Sequence, residues 1–150
     1  MGIANDDLQV LDDGVAWARS HVALLFPNGR VDPMILLSYV MADVLVLGRG
    51  ECRIVERDGW WVVSSDVDWM AGARDPGRRG AEVPINELFA RVVAAPEHGE
   101  HSLRAEVLVN AFASDVAVWN GDISVIKGDA PNASWPPCRR ALAFRIAQVV

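Results

Sequence analysis

Apolar residues recur at helical spacing in the first third of the chain. One stripe repeats every three or four residues and comprises Leu8, Leu11, Val15, Ala18, Val22 and Leu25. Because an α-helix turns once in 3.6 residues, this stripe predicts an amphipathic helix over residues 6–26. Residues 32–47 are apolar on nearly all sides and begin with Asp32-Pro33, which suits a helix start. They predict a second, mostly buried helix.

Residues 52–65 show the pattern of a β-hairpin. Asp58-Gly59 favours a two-residue turn, because both positions of a type I′ turn need positive φ. This turn pairs Arg57 with Trp60 and continues the pairing outward. Both faces of the pair are partly apolar, which predicts strands that are covered on both sides.

A second hairpin is predicted over residues 116–127, with Asn120-Gly121 as its turn. A two-residue loop sets the register of the two strands. In that register, four β-branched residues share one face: Val116, Val118, Ile123 and Val125. Since side chains alternate along a strand, a slip of one residue would break this match.

The remaining pattern completes an α+β fold. Residues 84–94 and 103–113 have helical spacing, residues 66–83 form a turn-rich loop, and residues 140–149 alternate as a last strand. We therefore predict one α+β domain over residues 1–150. Its single antiparallel sheet has about five strands, two hairpins plus the C-terminal strand, and about four helices pack mainly on one face.

The charge of the chain restricts its partners. It has 14 basic and 20 acidic residues, for a net charge of −6. Nucleic acids and anionic membranes attract positive surfaces, so we predict that the protein binds neither. An acidic surface instead steers a basic protein toward it.

Residue usage indicates the compartment. The first twelve residues contain no Lys or Arg, which argues against a secretory signal. We therefore expect a cytoplasmic protein in which Cys52 and Cys138 are reduced thiols. Lys127 is the only lysine beside many arginines and alanines, a bias typical of a GC-rich bacterial genome.

No catalytic motif is recognisable, and we predict no cofactor. Residues 97–101 gather two histidines and two glutamates, but their order matches no zinc motif, so we predict no metal site. Asp66 and Asp68 follow a strand end. The favoured interpretation is a turn in which the carboxylates accept hydrogen bonds from backbone amides.

Six tryptophans in 150 residues are more than a small core holds comfortably. Ordinary packing under loops is one interpretation, and an exposed apolar binding patch is the other. The leading hypothesis is a protein-binding module, most concretely an immunity or antitoxin-type inhibitor of a basic bacterial toxin enzyme. Its carboxylates would take the place of phosphate, with tryptophan as the apolar anchor. The residues predicted to contact the partner are Asp66, Asp68, Trp69, Asp115, Trp119 and Asp122.

Two alternatives use the same aromatic residues differently. The first is a small-molecule-binding protein, or an enzyme without a recognisable motif, with a pocket between sheet and helices. Its predicted lining is Trp60, Trp61, Asp66 and His98. The second is a homodimer that buries tryptophans between its subunits.

Overall fold

A five-stranded antiparallel sheet forms the centre of the protein. The computed structural model describes residues 13–98, 102–132 and 135–147. Its strands, in chain order, are β1 (Arg53–Arg57), β2 (Trp60–Ser65), β3 (Arg74–Asp75), β4 (Ala81–Glu82), β5 (Asp115–Trp119), β6 (Ile123–Lys127) and β7 (Arg140–Arg145). The large sheet has the order β1-β2-β7-β5-β6, so β7 lies between the two hairpins. β3 and β4 form a separate small ladder inside the predicted loop.

Short helices pack against this sheet. They are α1 (Gly14–Arg19), α2 (Val22–Leu25), α3 (Pro33–Asp43), α4 (Ile85–Leu88) and α5 (Glu106–Phe112). A π-helical turn, Val44–Gly48, continues α3, and 3-10 turns lie at Pro76–Arg78 and Pro96–His98. Within the described residues, no helix has the length and apolar character needed to cross a bilayer. The predicted α+β class and single antiparallel sheet are confirmed.

The first predicted helix is interrupted. Residues 6–12 lie outside the described ranges, and the rest divides into α1 and α2 at Ser20-His21. The Ser20 hydroxyl donates to the carbonyl oxygen of Trp17, and His21 Nδ1 lies 2.7 Å from the same oxygen. Such local side-chain bonds compete with the helical ladder. α3, in contrast, starts as predicted, with Asp32 accepting a bond from the Met34 amide.

The third predicted helix is also shorter than expected. α4 contains only one turn, and the chain beyond it pairs with other segments. The Ala90 carbonyl oxygen accepts a bond from the Gly14 amide, and Ala94 forms a β-bridge with Leu103. Tertiary hydrogen bonds therefore replace helical ones over the residues that the periodicity had assigned to a helix.

One face of the sheet packs against the helices. The side chains on this face alternate along the strands and are Ile54, Trp61, Val63, Val116, Val118, Leu142 and Phe144. They join the helix residues Leu36, Leu88 and Leu108 in one core. The prediction that the helices pack mainly on one face is therefore confirmed. The other strand residues point away from this core, because side chains alternate between the two faces.

The first hairpin has the predicted register. Arg57 pairs with Trp60 and Ile54 with Val63. Asp58 and Gly59 both have positive φ, 54° and 83°, as a type I′ turn requires.

The predicted register of the second hairpin is wrong by one residue. The loop contains Asp122 as well as Asn120-Gly121, so Trp119 pairs with Ile123 and Ala117 with Val125. Ile123 and Val125 consequently point away from the helices and are 46% and 52% exposed. Val116 and Val118 remain in the core.

A partly buried tertiary contact stabilises this register. A bulge next to Val116 shifts the pairing so that Val116 lies opposite Lys127. Lys127 Nζ then donates to the carbonyl oxygens of Asn110 and Ala113, at 3.1 and 2.7 Å. A cation at the end of a helix satisfies carbonyl groups that have no intrahelical partner. The ammonium group therefore stabilises the shifted register.

Candidate functional site

The face of the sheet opposite the helices carries small residues at its centre. Ala117 pairs with Ala143, and Trp119 pairs with Ala141. All three alanines are fully buried, although they point away from the helices. The protein therefore covers this face with something other than a helix.

The cover is a segment that precedes β7. We call residues 131–132 and 135–137 the covering segment. Its Trp135 stacks on Trp119 with the ring centres 5.9 Å apart and the planes inclined by 10°. The small alanine side chains let this segment approach the central strands closely.

A cavity of about 430 Å³ lies beside the covering segment, and we call it the trough. Val55 and Val62 on the first hairpin line one side, and Val55 is 44% exposed. The covering segment lines the other side with Pro131, Asn132, Trp135, Pro136 and Pro137. Most of the lining is apolar, as is usual for ligand sites.

Polar groups also line the trough, at the turn of the first hairpin and the end of β7. Its lining includes Trp60 together with Arg57, Asp58 and Arg145. The guanidinium carbon of Arg145 lies 4.7 Å from the ring centre of Trp60, a cation–π distance. The position of Arg145 follows from the register, since it pairs with Trp60 on β2 and with Asp115 on β5.

Asp115 holds Arg145 in place. The Arg145 Nε–H group donates to Asp115 Oδ2 at 3.0 Å, and the Asp129 amide donates to Oδ1 at 2.9 Å. Burial alone would raise the pKa of Asp115. The bonds from Arg145, Asp129 and Ser114 outweigh that effect and lower this pKa below its ordinary value. The carboxylate is therefore ionised at neutral pH.

Most residues predicted to contact a partner have partners within the fold. Trp69 is only 3% exposed and belongs to the core, so its indole does not form a surface anchor. Asp68 forms a bidentate pair with buried Arg140, and Asp115 pairs with Arg145. Asp66 lies 3.5 Å from Arg53 on the surface.

The turn interpretation holds for one of the two loop carboxylates. Asp68 Oδ1 accepts bonds from the amides of Met70 and Ala71, as predicted. No hydrogen bond to a backbone amide is found for Asp66 within the described residues. Its side chain contacts Arg53 instead.

The two remaining partner candidates lie at one end of the sheet. Trp119 is half-buried beneath Trp135, and Asp122 is exposed in the β5–β6 turn. Asp66 follows β2 at the same end, whereas Asp115 lies at the opposite end of β5. The structure therefore does not bring the six predicted residues into one patch.

The residues of the alternative pocket are also separated. Trp60 lines the trough, while Trp61 points to the helix side and packs against the core. Asp66 lies at the other end of β2, and His98 lies in a 3-10 turn on the helix side. The cavity that contains Trp60 thus adjoins the covering segment and does not lie between sheet and helices.

His98 belongs to a buried polar cluster. Its Nε2 atom lies 3.0 Å from Asp43 Oδ1, although the two atoms lack the alignment of a hydrogen bond. Asp43 Oδ2 accepts a bond from the Ala105 amide at 2.8 Å. Arg104 pairs with Glu106 beside them and donates to the Trp69 carbonyl oxygen at 3.1 Å. These contacts connect the end of α3 to the start of α5.

Burial sets the protonation of this cluster. Desolvation, together with the negative charge of Glu106, raises the pKa of Asp43 well above its ordinary value. Desolvation also lowers the pKa of His98. Both shifts favour neutral side chains, which suits a buried structural junction. Among the described residues, no group of three or more His, Cys, Asp or Glu side chains is arranged to hold a metal ion.

Arg145 and Trp135 are not among the site residues predicted from the sequence. The alternation of residues 140–145 indicates a strand face that another segment can cover, because it places Ala141, Ala143 and Arg145 on one face. Small residues on a strand face allow another segment to approach closely. Nothing in the sequence showed that the covering segment lies on that face.

Comparison of the chain with protein-family models, with curated proteins and with solved structures gives no match.

Proposed function

We propose that this protein binds a small organic ligand with a flat apolar body in the trough. The cavity of about 430 Å³, bounded by Trp60, Trp135 and three prolines, is the observation that carries this proposal. Its size lies within the range of about 300–1,000 Å³ that ligand sites occupy. Aromatic rings and prolines offer flat, rigid surfaces for such a body.

The polar groups of the trough support recognition. Arg57 and Arg145 offer several N–H donors in a fixed planar geometry, which suits the orientation of a ligand. A few polar groups around an apolar lining give a site its specificity. We therefore favour a binding protein over an enzyme.

Nuclear magnetic resonance of the tryptophan indoles tests this proposal. The probe is 2-naphthamide, a flat, uncharged aromatic compound, titrated into ¹⁵N-labelled protein. We expect the Trp135 and Trp60 indole signals, assigned with Trp→Phe variants, to shift saturably. Trp17 serves as an internal reference, because it stacks on His21 on the helix side.

A matched pair of variants locates the probe. Val55→Trp fills the trough, whereas Val125→Trp adds the same indole to the same sheet face at the other edge strand. The two valines are similarly exposed, at 44% and 52%. We expect Val55→Trp alone to abolish the shifts. Unshifted indole signals in the wild type, or unchanged binding by Val55→Trp, would contradict the proposal.

Protein binding is a second candidate, supported by the exposed edge strand β6. Ile123 and Val125 point outward there, next to Asp122, and an edge strand offers unpaired backbone groups to a partner. The immunity-type inhibitor of a basic toxin is the concrete form of this candidate.

Contacts within the fold give this second candidate less support than the sequence implied. Asp68 and Asp115 pair with Arg140 and Arg145, and Trp69 is buried, so these three residues do not form an acidic surface with an aromatic anchor. Native mass spectrometry tests the candidate. The candidate requires that a basic protein binds the wild type at fixed stoichiometry. Ile123→Lys should abolish this complex, and Val55→Trp should retain it.

A further inference from the structure

Arg145 presents hydrogen-bond donors that the fold leaves unused. Its Nε–H group binds Asp115, but its two terminal nitrogen atoms have no partner among the described residues. The side chain is 38% exposed and lines the trough. The contacts with Asp115 and Trp60 fix the guanidinium group, so these donors are already oriented.

Arg57 adds to this surplus of donors. It lines the trough, is exposed on β1 and forms no ion pair with another described residue. Its guanidinium group therefore also has donors available to a ligand.

Among the described residues that line the trough, Asp58 is the only one with a carboxylate. It lies in the exposed turn of the first hairpin, where water screens its charge. This one carboxylate does not balance the hydrogen-bond donors of the two guanidinium groups. The trough is therefore complementary to a ligand that carries acceptors.

We infer that the natural ligand is a planar apolar carboxylate whose carboxyl group binds Arg145 and Arg57. This inference rests on the proposed function of the trough. A carboxylate suits the free end of a guanidinium group, because its two oxygen atoms match two parallel N–H donors. Asp115 acts as a positioning residue, since it orients Arg145 without lining the trough.

The test compares two probes of equal shape. 2-Naphthoate and 2-naphthamide share the same ring system and differ in the charge of one substituent. A charge-assisted hydrogen bond is worth enough to favour the carboxylate by about tenfold in Kd. We expect this preference in a titration at low ionic strength, and we expect added salt to reduce it.

Two substitutions change the trough charge in opposite directions, and a third serves as their control. Arg57→Gln should weaken 2-naphthoate binding and leave 2-naphthamide unchanged. Asp58→Asn should strengthen 2-naphthoate binding, and asparagine suits the positive φ at this position. Arg30→Gln is the matched control, because Arg30 is exposed in a turn and does not line the trough.

Arg145→Lys tests the residue that we propose to bind the carboxyl group. Lysine keeps the charge and loses the planar fork, so the preference for the carboxylate should fall toward that of a simple ion pair. The Trp60 and Trp135 indole signals report whether this variant remains folded.

The outcomes separate the two proposals. If neither probe shifts the indole signals, the proposed function fails. If both probes bind with equal Kd and the charge variants change neither, the trough is a binding site and the carboxylate inference fails.

Discussion

Arg140 holds Asp68 with two parallel hydrogen bonds. Its Nε and Nη2 atoms lie 2.8 and 2.9 Å from the two carboxylate oxygens of Asp68. This pair connects the start of β7 to the loop that follows β2, and the Arg140 side chain is almost completely buried. A residue that the sequence presented as a partner contact thus has a role inside the fold.

Asp68→Asn should destabilise the protein by about 2–3 kcal/mol at pH 7, because it leaves a buried guanidinium group without its counter-ion. Burial alone would raise the pKa of Asp68, but Arg140 and the loop amides lower it. A carboxylate with a lowered pKa stabilises the fold above its ordinary titration range. That contribution is lost as pH falls through the lowered pKa.

Urea unfolding of wild type and Asp68→Asn between neutral and acidic pH measures this effect. The difference should shrink as pH falls. Asp66→Asn is the control, since the exposed Asp66–Arg53 pair is worth less than about 1 kcal/mol. A difference that is independent of pH would contradict the prediction.

Asp43→Asn should make stability less dependent on pH. The raised pKa means that the folded protein binds more protons than the unfolded chain, so the free energy of unfolding falls as pH rises through the raised value. Asparagine resembles the protonated carboxyl group and still accepts a bond from the Ala105 amide. Unfolding experiments from about pH 4 upward should give a flatter curve.

Asp43→Ala is the comparison for that experiment. It leaves the buried Ala105 amide without an acceptor, which should cost about 1–3 kcal/mol at every pH. Equal loss of stability in both variants would contradict a neutral Asp43 that acts through its bond with the Ala105 amide.

Gly14→Ala should destabilise the protein, although helix propensity alone predicts a gain of about 1 kcal/mol. A Cβ atom at this position would lie 2.7 Å from the backbone of Arg91 and Val92. The crowded backbone must move, which typically costs about 1–3 kcal/mol. Thermal unfolding shows whether Gly14→Ala stabilises or destabilises the protein. An increase in Tm would contradict the close contact.

The register of the second hairpin is testable by two truncations. Val118→Ala should cost about 2 kcal/mol, because Val118 lies in the core. Ile123→Ala should cost less than about 1 kcal/mol, since half of that side chain is in solvent. The register predicted from sequence would instead make both losses large. Urea unfolding of the two variants distinguishes these cases.

The sequence by itself determined much of the strand layer. Period-two alternation defined both hairpins and β7, and Asp58-Gly59 fixed the first register through the backbone angles of its turn. These are local properties, because neighbouring side chains and turn residues specify them. The start of α3 at Asp32-Pro33 was local in the same sense.

Only the tertiary structure decided the second register and the site. Asn120-Gly121 suits more than one loop length, and the observed one occurs together with a contact between Lys127 and the end of α5. The trough depends on a segment lying against strands distant in sequence, with Trp135 against Trp119. Contacts of this kind depend on the three-dimensional packing of the whole chain, so a local pattern does not encode them. The position of Arg145 between Asp115 and Trp60 follows from the same packing.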